Sequence, residues 1–171
     1  MNRESAWCVN PQLTAKAQPV VDALRRAKLF VVTAESCTGG LIAAILSHGI
    51  QASDCLHGGF VAYTKAKKAA VLGVDRALLE TRGMVNSEVA RQMVLGALDR
   101  SPADIAIAVT GVLGPDPDED GNPAGLVYFA VCRRGQVPIV VQRNYDGSDP
   151  DAVRCAAIIQ ALEMLRQSAS G

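Results

Sequence analysis

The sequence predicts an α/β domain of three layers, in which helices cover both faces of a mixed, mostly parallel sheet of about five strands. Two observations indicate this fold. Apolar strand-like runs alternate with segments of helical periodicity up to about residue 110, and a β-hairpin pattern follows at 125–145. Ligands of such folds bind outside the carboxyl ends of the parallel strands, so we expect a site at that edge of the sheet.

A helical pattern from residue 11 to residue 27 comes first, with Pro19 either kinking it or marking its first turn. The segment Phe30-Val-Val-Thr-Ala-Glu-Ser-Cys-Thr-Gly-Gly40 then predicts a buried strand and a tight turn, and a helix follows to about Gly49. The backbone N–H groups of Thr38, Gly39 and Gly40 would open that helix and attract an anion or a developing oxyanion. The alternative is a plain strand-to-helix connection with Thr38 as the N-cap.

The remaining elements are predicted in turn. We expect a strand at 58–63, a short basic helix at 64–73, a helix capped by Asn86 or Ser87, and a buried strand at 104–110. An acidic, turn-rich loop at 116–123 should be exposed and mobile. Two hairpin strands at 125–133 and 137–145 precede a final helix at 149–167. Residues 1–10 are predicted as a loose arm, 11–167 as one domain and 168–171 as a fraying tail.

Composition narrows the classes of partner. Seventeen basic and seventeen acidic residues cancel, so we expect neither nucleic acid nor a membrane surface as a partner, but a small-molecule substrate. The five cysteines lack the spacing of a zinc site or a disulfide framework, which indicates free thiols in the cytoplasm. No signal peptide and no apolar run of about 20 residues is apparent.

The sequence favours neither a histidine-dependent serine hydrolase nor a metal or cofactor site. His48 and His57 do not follow a predicted strand with an acid nearby, which argues against a Ser-His-Asp hydrolase. A metal site of His48, Cys55 and His57 lacks tight ligand spacing. Neither GxGxxG nor GxxxxGK[ST] occurs, so we expect no metal and no cofactor.

Ser36 is the candidate nucleophile, and without histidine it needs another base. A desolvated lysine can act in this way, and Lys68 is the candidate, with Tyr63 able to relay a proton. Two simpler interpretations stay open. Lys65, Lys67 and Lys68 can form one solvated helix face, and Cys37 can be either an alternative nucleophile or a packed thiol.

Three motifs resemble the C-terminal domain of the competence/damage-inducible protein CinA. They are Thr33 to Gly40, then Gly59 to Tyr63 with Lys68 and the Leu-Gly-Val at 72–74, then Thr110-Gly with Gly114-Pro115. The resemblance implies a metal-independent deamidase that converts nicotinamide mononucleotide into nicotinic acid mononucleotide and ammonia. It implies catalysis by Ser36, Tyr63 and Lys68, and substrate binding by Glu35, Cys37, Thr38, Gly39, Gly40, Thr110, Gly111, Gly114 and Arg154.

The sequence departs from the family pattern at three places. Lys65 stands where relatives usually carry asparagine, acidic residues at 116–120 replace a glycine pair, and Asp149 replaces an arginine, although Arg154 matches a later one. Amidase chemistry with an altered substrate preference is one consequence. A non-catalytic module that binds a nucleotide or a protein partner is another. Trp7 in the predicted arm suggests a homo-oligomer.

Overall fold

The computed structural model describes residues 11–170, so the predicted N-terminal arm with Trp7 lies outside the described residues. Five strands form one sheet in the order β2-β1-β3-β4-β5, with bounds β1 (Val31–Glu35), β2 (Leu56–Val61), β3 (Ile105–Gly111), β4 (Leu126–Arg133) and β5 (Ile139–Asn144). β1 pairs in parallel with β2 and β3, whereas β4 is antiparallel to both β3 and β5. Four of the five strands therefore run in one direction, and the predicted mixed sheet is confirmed.

Helices cover both faces of this sheet. Their bounds are α1 (Pro11–Thr14), α2 (Ala17–Ala27), α3 (Leu41–Leu46), α4 (Lys65–Leu72), α5 (Arg76–Arg82), α6 (Ser87–Asp99) and α7 (Pro150–Ser170). One apolar core joins α2, α3 and α7 to one face, and a second joins α4, α5 and α6 to the other. The fully buried β1 and nearly fully buried β3 lie between the two cores, which explains their continuous apolar sequences.

Side-chain caps set the start of several helices. Thr64 accepts a hydrogen bond from the N–H of Lys67, and Asn86 accepts one from the N–H of Val89, as predicted for a cap before α6. α4 ends at Leu72 and is capped by Gly73, whose φ of 69° is readily adopted only by glycine. Thr64 and Gly73 therefore cap the two ends of α4, the helix that carries Lys68.

Three helix predictions need correction, and one helix was not predicted. The first helical segment is two helices, and Pro19 lies in the first turn of α2, where proline is tolerated. α3 ends at Leu46, before Gly49, and α5 was not predicted. α7 continues to Ser170, three residues beyond its predicted end, because Ala169 is buried against the first core and holds the last turn in place. None of the helices within 11–170 has the length and apolar character needed to cross a bilayer.

Candidate active site

Ser36 and Lys68 form a buried pair at the carboxyl edge of the sheet. Ser36 directly follows β1 and is 5% exposed, and Lys68 lies in the middle of α4 and is fully buried. The Nζ atom of Lys68 lies 2.7 Å from Oγ of Ser36 and donates a hydrogen bond to the carbonyl oxygen of Ala62 at 2.8 Å. The two residues are 32 positions apart in the sequence, and they meet because β2 returns the chain beside β1 before α4 begins.

Burial changes the acidity of both ionisable groups beside Ser36. It lowers the pKa of Lys68 to about 8, because desolvation penalises the ammonium form. A useful fraction of this amine is therefore neutral near physiological pH and able to accept a proton. Burial raises the pKa of the Cys37 thiol to about 12, so Cys37 is a packed thiol and a poor nucleophile.

Glu35 is fully buried, and its carboxylate binds the turn that follows it. The two oxygens accept hydrogen bonds from the hydroxyls of Thr33 and Thr38 at 2.9 and 2.7 Å. They also accept from three N–H groups at the start of α3, those of Gly40, Ile42 and Ala43, at 2.9–3.0 Å. This carboxylate therefore holds the helix N-terminus and does not line the pocket described below.

This network corrects the expectation for the turn. The N–H of Gly39 donates to the carbonyl of Ser36 and that of Gly40 to Glu35, so neither is free for a ligand. Thr38 is not the N-cap, because Gly40 holds that position and the Thr38 hydroxyl donates to Glu35. Within residues 11–170, the N–H groups of Cys37 and Thr38 have no acceptor on another residue. Cys37 lines the pocket described below, whereas Thr38 is fully buried and does not, so only the Cys37 N–H of these two is a candidate for an oxyanion.

A pocket of about 310 Å³ opens beside Ser36. Ser36, Cys37 and Tyr63 are among the residues that line it. Tyr63 is 64% exposed, and its hydroxyl has no hydrogen-bond partner in the described part of the chain. The structure therefore places Tyr63 at the pocket mouth, within the same site as Ser36 but not bonded to the Ser36–Lys68 pair.

The segments 84–85, 111–114 and 116–118 form a further wall of the pocket. Gly111 and Gly114, both predicted to bind substrate, belong to this wall, and a Cβ at Gly114 would collide with the carbonyl oxygen of Gly147. Thr110 does not line the pocket. Its buried hydroxyl donates to the carbonyl oxygen of Met84 at 2.8 Å and so supports the wall from behind.

Charges of both signs border the pocket. Arg154 lies at one end and pairs with Asp151 at 2.6 Å. Asp116 and Asp118 border the pocket too. Asp118 accepts hydrogen bonds within its own turn, whereas the Asp116 carboxylate has no partner among residues 11–170. The pocket can thus accept a ligand that carries both an anionic and a cationic group.

Comparison with known proteins identifies the family. The sequence matches the CinA C-terminal domain over residues 13–169. The chain belongs to the CinA C-terminal domain family. It is similar to the nicotinamide-nucleotide amidohydrolase PncC of Escherichia coli strain K12, with 36% identity over 157 residues that cover 91% of this chain and 94% of that protein.

Two further relatives show the range of the family. A CinA-like protein of Mycolicibacterium vanbaalenii is 38% identical over 141 residues, which cover 82% of this chain but 33% of that protein, so this chain spans about a third of such relatives. The crystal structure of a competence/damage-inducible protein of Agrobacterium tumefaciens superposes with a TM-score of 0.88 at 36% identity, covering 95% of this chain and 98% of that one.

The departures from the family pattern have visible roles in this CinA domain. Asp149 caps α7 by accepting hydrogen bonds from the N–H groups of Asp151 and Ala152. Lys65 is not part of a solvated face, because it forms ion pairs with Asp120 and Glu119. Lys67 is the exposed member of the three neighbouring lysines, and it forms no ion pair with any residue of 11–170.

Some pocket residues were not predicted from the sequence. Met84, Val85, Val112, Leu113 and Pro150 line the pocket but belong to no motif. The only available signal was position, since Val112 and Leu113 follow a predicted strand, whereas Met84 and Val85 follow the helix that was missed. His48, Cys55 and His57 form no cluster that could hold a metal ion within the described residues.

Proposed function

We propose that this protein is an amidohydrolase that converts nicotinamide mononucleotide into nicotinic acid mononucleotide and ammonia. One observation carries the proposal, namely the contact of 2.7 Å between Ser36 Oγ and the buried amine of Lys68 at the wall of a ligand-sized pocket. A relative that is 36% identical over nearly its whole length bears the name nicotinamide-nucleotide amidohydrolase, which supports the substrate.

Acylation begins with neutral Lys68. Its Nζ accepts the hydroxyl proton of Ser36 while Oγ attacks the carbonyl carbon of the carboxamide. The N–H group of Cys37, which lines the pocket and has no acceptor on another described residue, would stabilise the negative charge that develops on the carbonyl oxygen. The first step thus produces a tetrahedral intermediate and a protonated Lys68.

The intermediate then collapses and the C–N bond breaks. The proton held by Lys68 passes to the amide nitrogen, which leaves as ammonia, and Tyr63 at the pocket mouth assists this transfer or orients the substrate. Water attacks the resulting ester on Ser36 with Lys68 again as the base. Hydrolysis releases the carboxylic acid product and restores the serine.

The charges of the pocket suit this substrate. Nicotinamide mononucleotide has a cationic pyridinium ring and an anionic phosphate, and the pocket is bordered by the carboxylate of Asp116 and the guanidinium of Arg154. Arginine binds phosphate through charge-assisted hydrogen bonds. We assign the phosphate to Arg154, the cationic ring to the neighbourhood of Asp116, and the carboxamide to Ser36.

The test measures ammonia release by the purified protein from nicotinamide mononucleotide, from its riboside and from nicotinamide. We expect release from the mononucleotide and little from the two compounds without phosphate. Ser36→Ala should lower the rate of ammonia release by about 10³-fold or more, because the nucleophile is lost. Substrate binding should stay largely intact. Cys37→Ala is the matched neighbour and should keep most of the activity.

Two outcomes would contradict this assignment. Release of ammonia from none of the amides would favour a non-catalytic module that uses the same pocket for binding. Loss of activity in Cys37→Ala but not in Ser36→Ala would mean that the nucleophile is wrong even if the substrate is right.

A further inference from the structure

The wall of the pocket that includes residues 84–85 and 116–118 is joined to α4 by an ion pair, although the loop 116–123 was expected to be mobile. We propose that Lys65 and Asp120 form a latch that positions this wall for substrate binding. The inference rests on the proposed function and adds two positioning residues to it. Both residues belong to the places where the sequence departs from the family pattern, and the structure brings them together.

Asp120 links its own loop to two other segments of the chain. One of its carboxylate oxygens lies 2.6 Å from Nζ of Lys65 on α4, and the other accepts a hydrogen bond from the N–H of Met84 at 3.3 Å. The same side chain covers Gly83, where no Cβ could fit without displacing it. Glu119 adds a second contact to Lys65 at 3.2 Å. The Lys65 and Asp120 side chains are 30% and 21% exposed, so the pair is partly shielded from water.

The latch can act on the pocket because Asp120 connects α4 to two segments that line the pocket. Met84 and Val85 belong to one segment, and Asp116 to Asp118 belong to the other. A turn held by Asp118, which accepts hydrogen bonds from the N–H groups of Asp120 and Asn122, transmits the position of Asp120 to its neighbours. On the far side, Thr110 holds the carbonyl of Met84. The wall is therefore fixed at two points, one of which is the latch.

The Ser36–Lys68 pair has its own supports. Lys68 is fixed by burial and by the carbonyl of Ala62, and Ser36 follows a central strand, so neither depends on Asp120. Loss of the latch should therefore weaken substrate binding and leave the chemical step largely unchanged. This predicts a change in KM with little change in kcat.

The kinetic test uses Lys65→Ala, Asp120→Asn and the double variant, with nicotinamide mononucleotide as substrate. We expect each single variant to raise KM about three- to tenfold with kcat within twofold, and the double variant to be no worse than Lys65→Ala, because the pair acts as a unit. Lys65→Arg should restore most of the wild-type KM. Lys67→Ala, on the same helix but without an ion pair, should change neither constant. Additive effects of the single variants, or a fall in kcat at constant KM, would overturn the proposal.

A second readout does not require amidase activity. Endoproteinase Glu-C cleaves after glutamate, and Glu119 lies on the latched loop. Lys65→Ala should speed cleavage after Glu119 about tenfold, whereas Lys67→Ala should cleave at the wild-type rate. An unchanged rate in Lys65→Ala would refute the latch even in an active enzyme. Faster cleavage in a protein that releases no ammonia would support the latch and refute the proposed substrate.

Discussion

Lys68 combines a charged group with full burial, and its chemistry follows from that combination. Lysine is among the residues least often buried without a partner, and here two neighbouring oxygens, of Ser36 and Ala62, are its hydrogen-bond partners within 11–170. Among residues 11–170, no carboxylate forms an ion pair with this amine. The proton is therefore held weakly, which is the property that a base for a serine nucleophile requires.

Activity should rise with pH as Lys68 loses its proton. Because burial lowers the pKa of Lys68 to about 8, kcat/KM for nicotinamide mononucleotide should increase nearly tenfold per pH unit below about pH 7 and level off above about pH 9. Initial rates of ammonia release between pH 6 and pH 9.5 would give the profile. Lys68→Arg, which keeps a cation that cannot deprotonate, should be inactive throughout. A flat profile, or a midpoint near the ordinary lysine value, would assign the base elsewhere.

At the scale of elements, the connection from β1 to α3 depends on one carboxylate. Glu35 binds three N–H groups of a helix that has six residues and no side-chain cap of its own. The negative charge also lies at the positive end of the helix dipole. This interaction holds the turn that carries Ser36, Cys37 and Thr38 in position.

Replacing Glu35 with glutamine should destabilise the fold. The amide group would point an N–H₂ at groups that are themselves donors, and burial leaves no water to compensate, so we expect a loss of about 2–4 kcal/mol in the free energy of unfolding. Urea denaturation at pH 7 measures this change. Glu80→Gln on the exposed face of α5 is the control and should lie within about 0.5 kcal/mol of the wild type. An equally small effect for Glu35→Gln would show that the carboxylate is dispensable.

Elements with a clear pattern were predictable from the sequence, and those that depend on distant contacts were not. β1 and β3 appear as apolar runs because both of their faces are buried, and Asn86 is recognisable as a cap. The burial of Lys68 could not be distinguished from a solvated face, since its neighbours are also lysines. The role of Glu35 depends on where α3 begins, and that of Lys65 on a loop 55 residues away.

At the scale of the whole molecule, the burial of Lys68 should lower the free energy of unfolding at neutral pH. The pKa of Lys68 is near 10.5 in the unfolded chain and about 8 in the folded chain. Between pH 8 and pH 10.5 the unfolded state therefore binds more protons than the folded state. The resulting destabilisation is fully present below about pH 8 and disappears as the pH rises towards 10.5. At pH 7 it amounts to about 3 kcal/mol.

Lys68→Met should therefore unfold at a higher urea concentration than the wild type at pH 7. The stability difference between variant and wild type should shrink by about 3 kcal/mol between pH 7 and pH 10.5, because the neutral amine carries little penalty. Lys67→Met, on an exposed position of the same helix, should show no such dependence. A difference that stays constant with pH would mean that Lys68 is protonated in the folded protein at all these values.

The carboxylate of Glu35 also determines where inorganic anions can bind to the protein. Helix N-termini in α/β domains commonly bind the phosphate of a ligand, and here that place is occupied by a group tethered to the chain itself. A tethered group acts at a high effective concentration, so millimolar inorganic phosphate cannot displace it from the α3 amides. Competition by phosphate, if measured, would then report on the Arg154 end of the pocket and not on the turn beside Ser36.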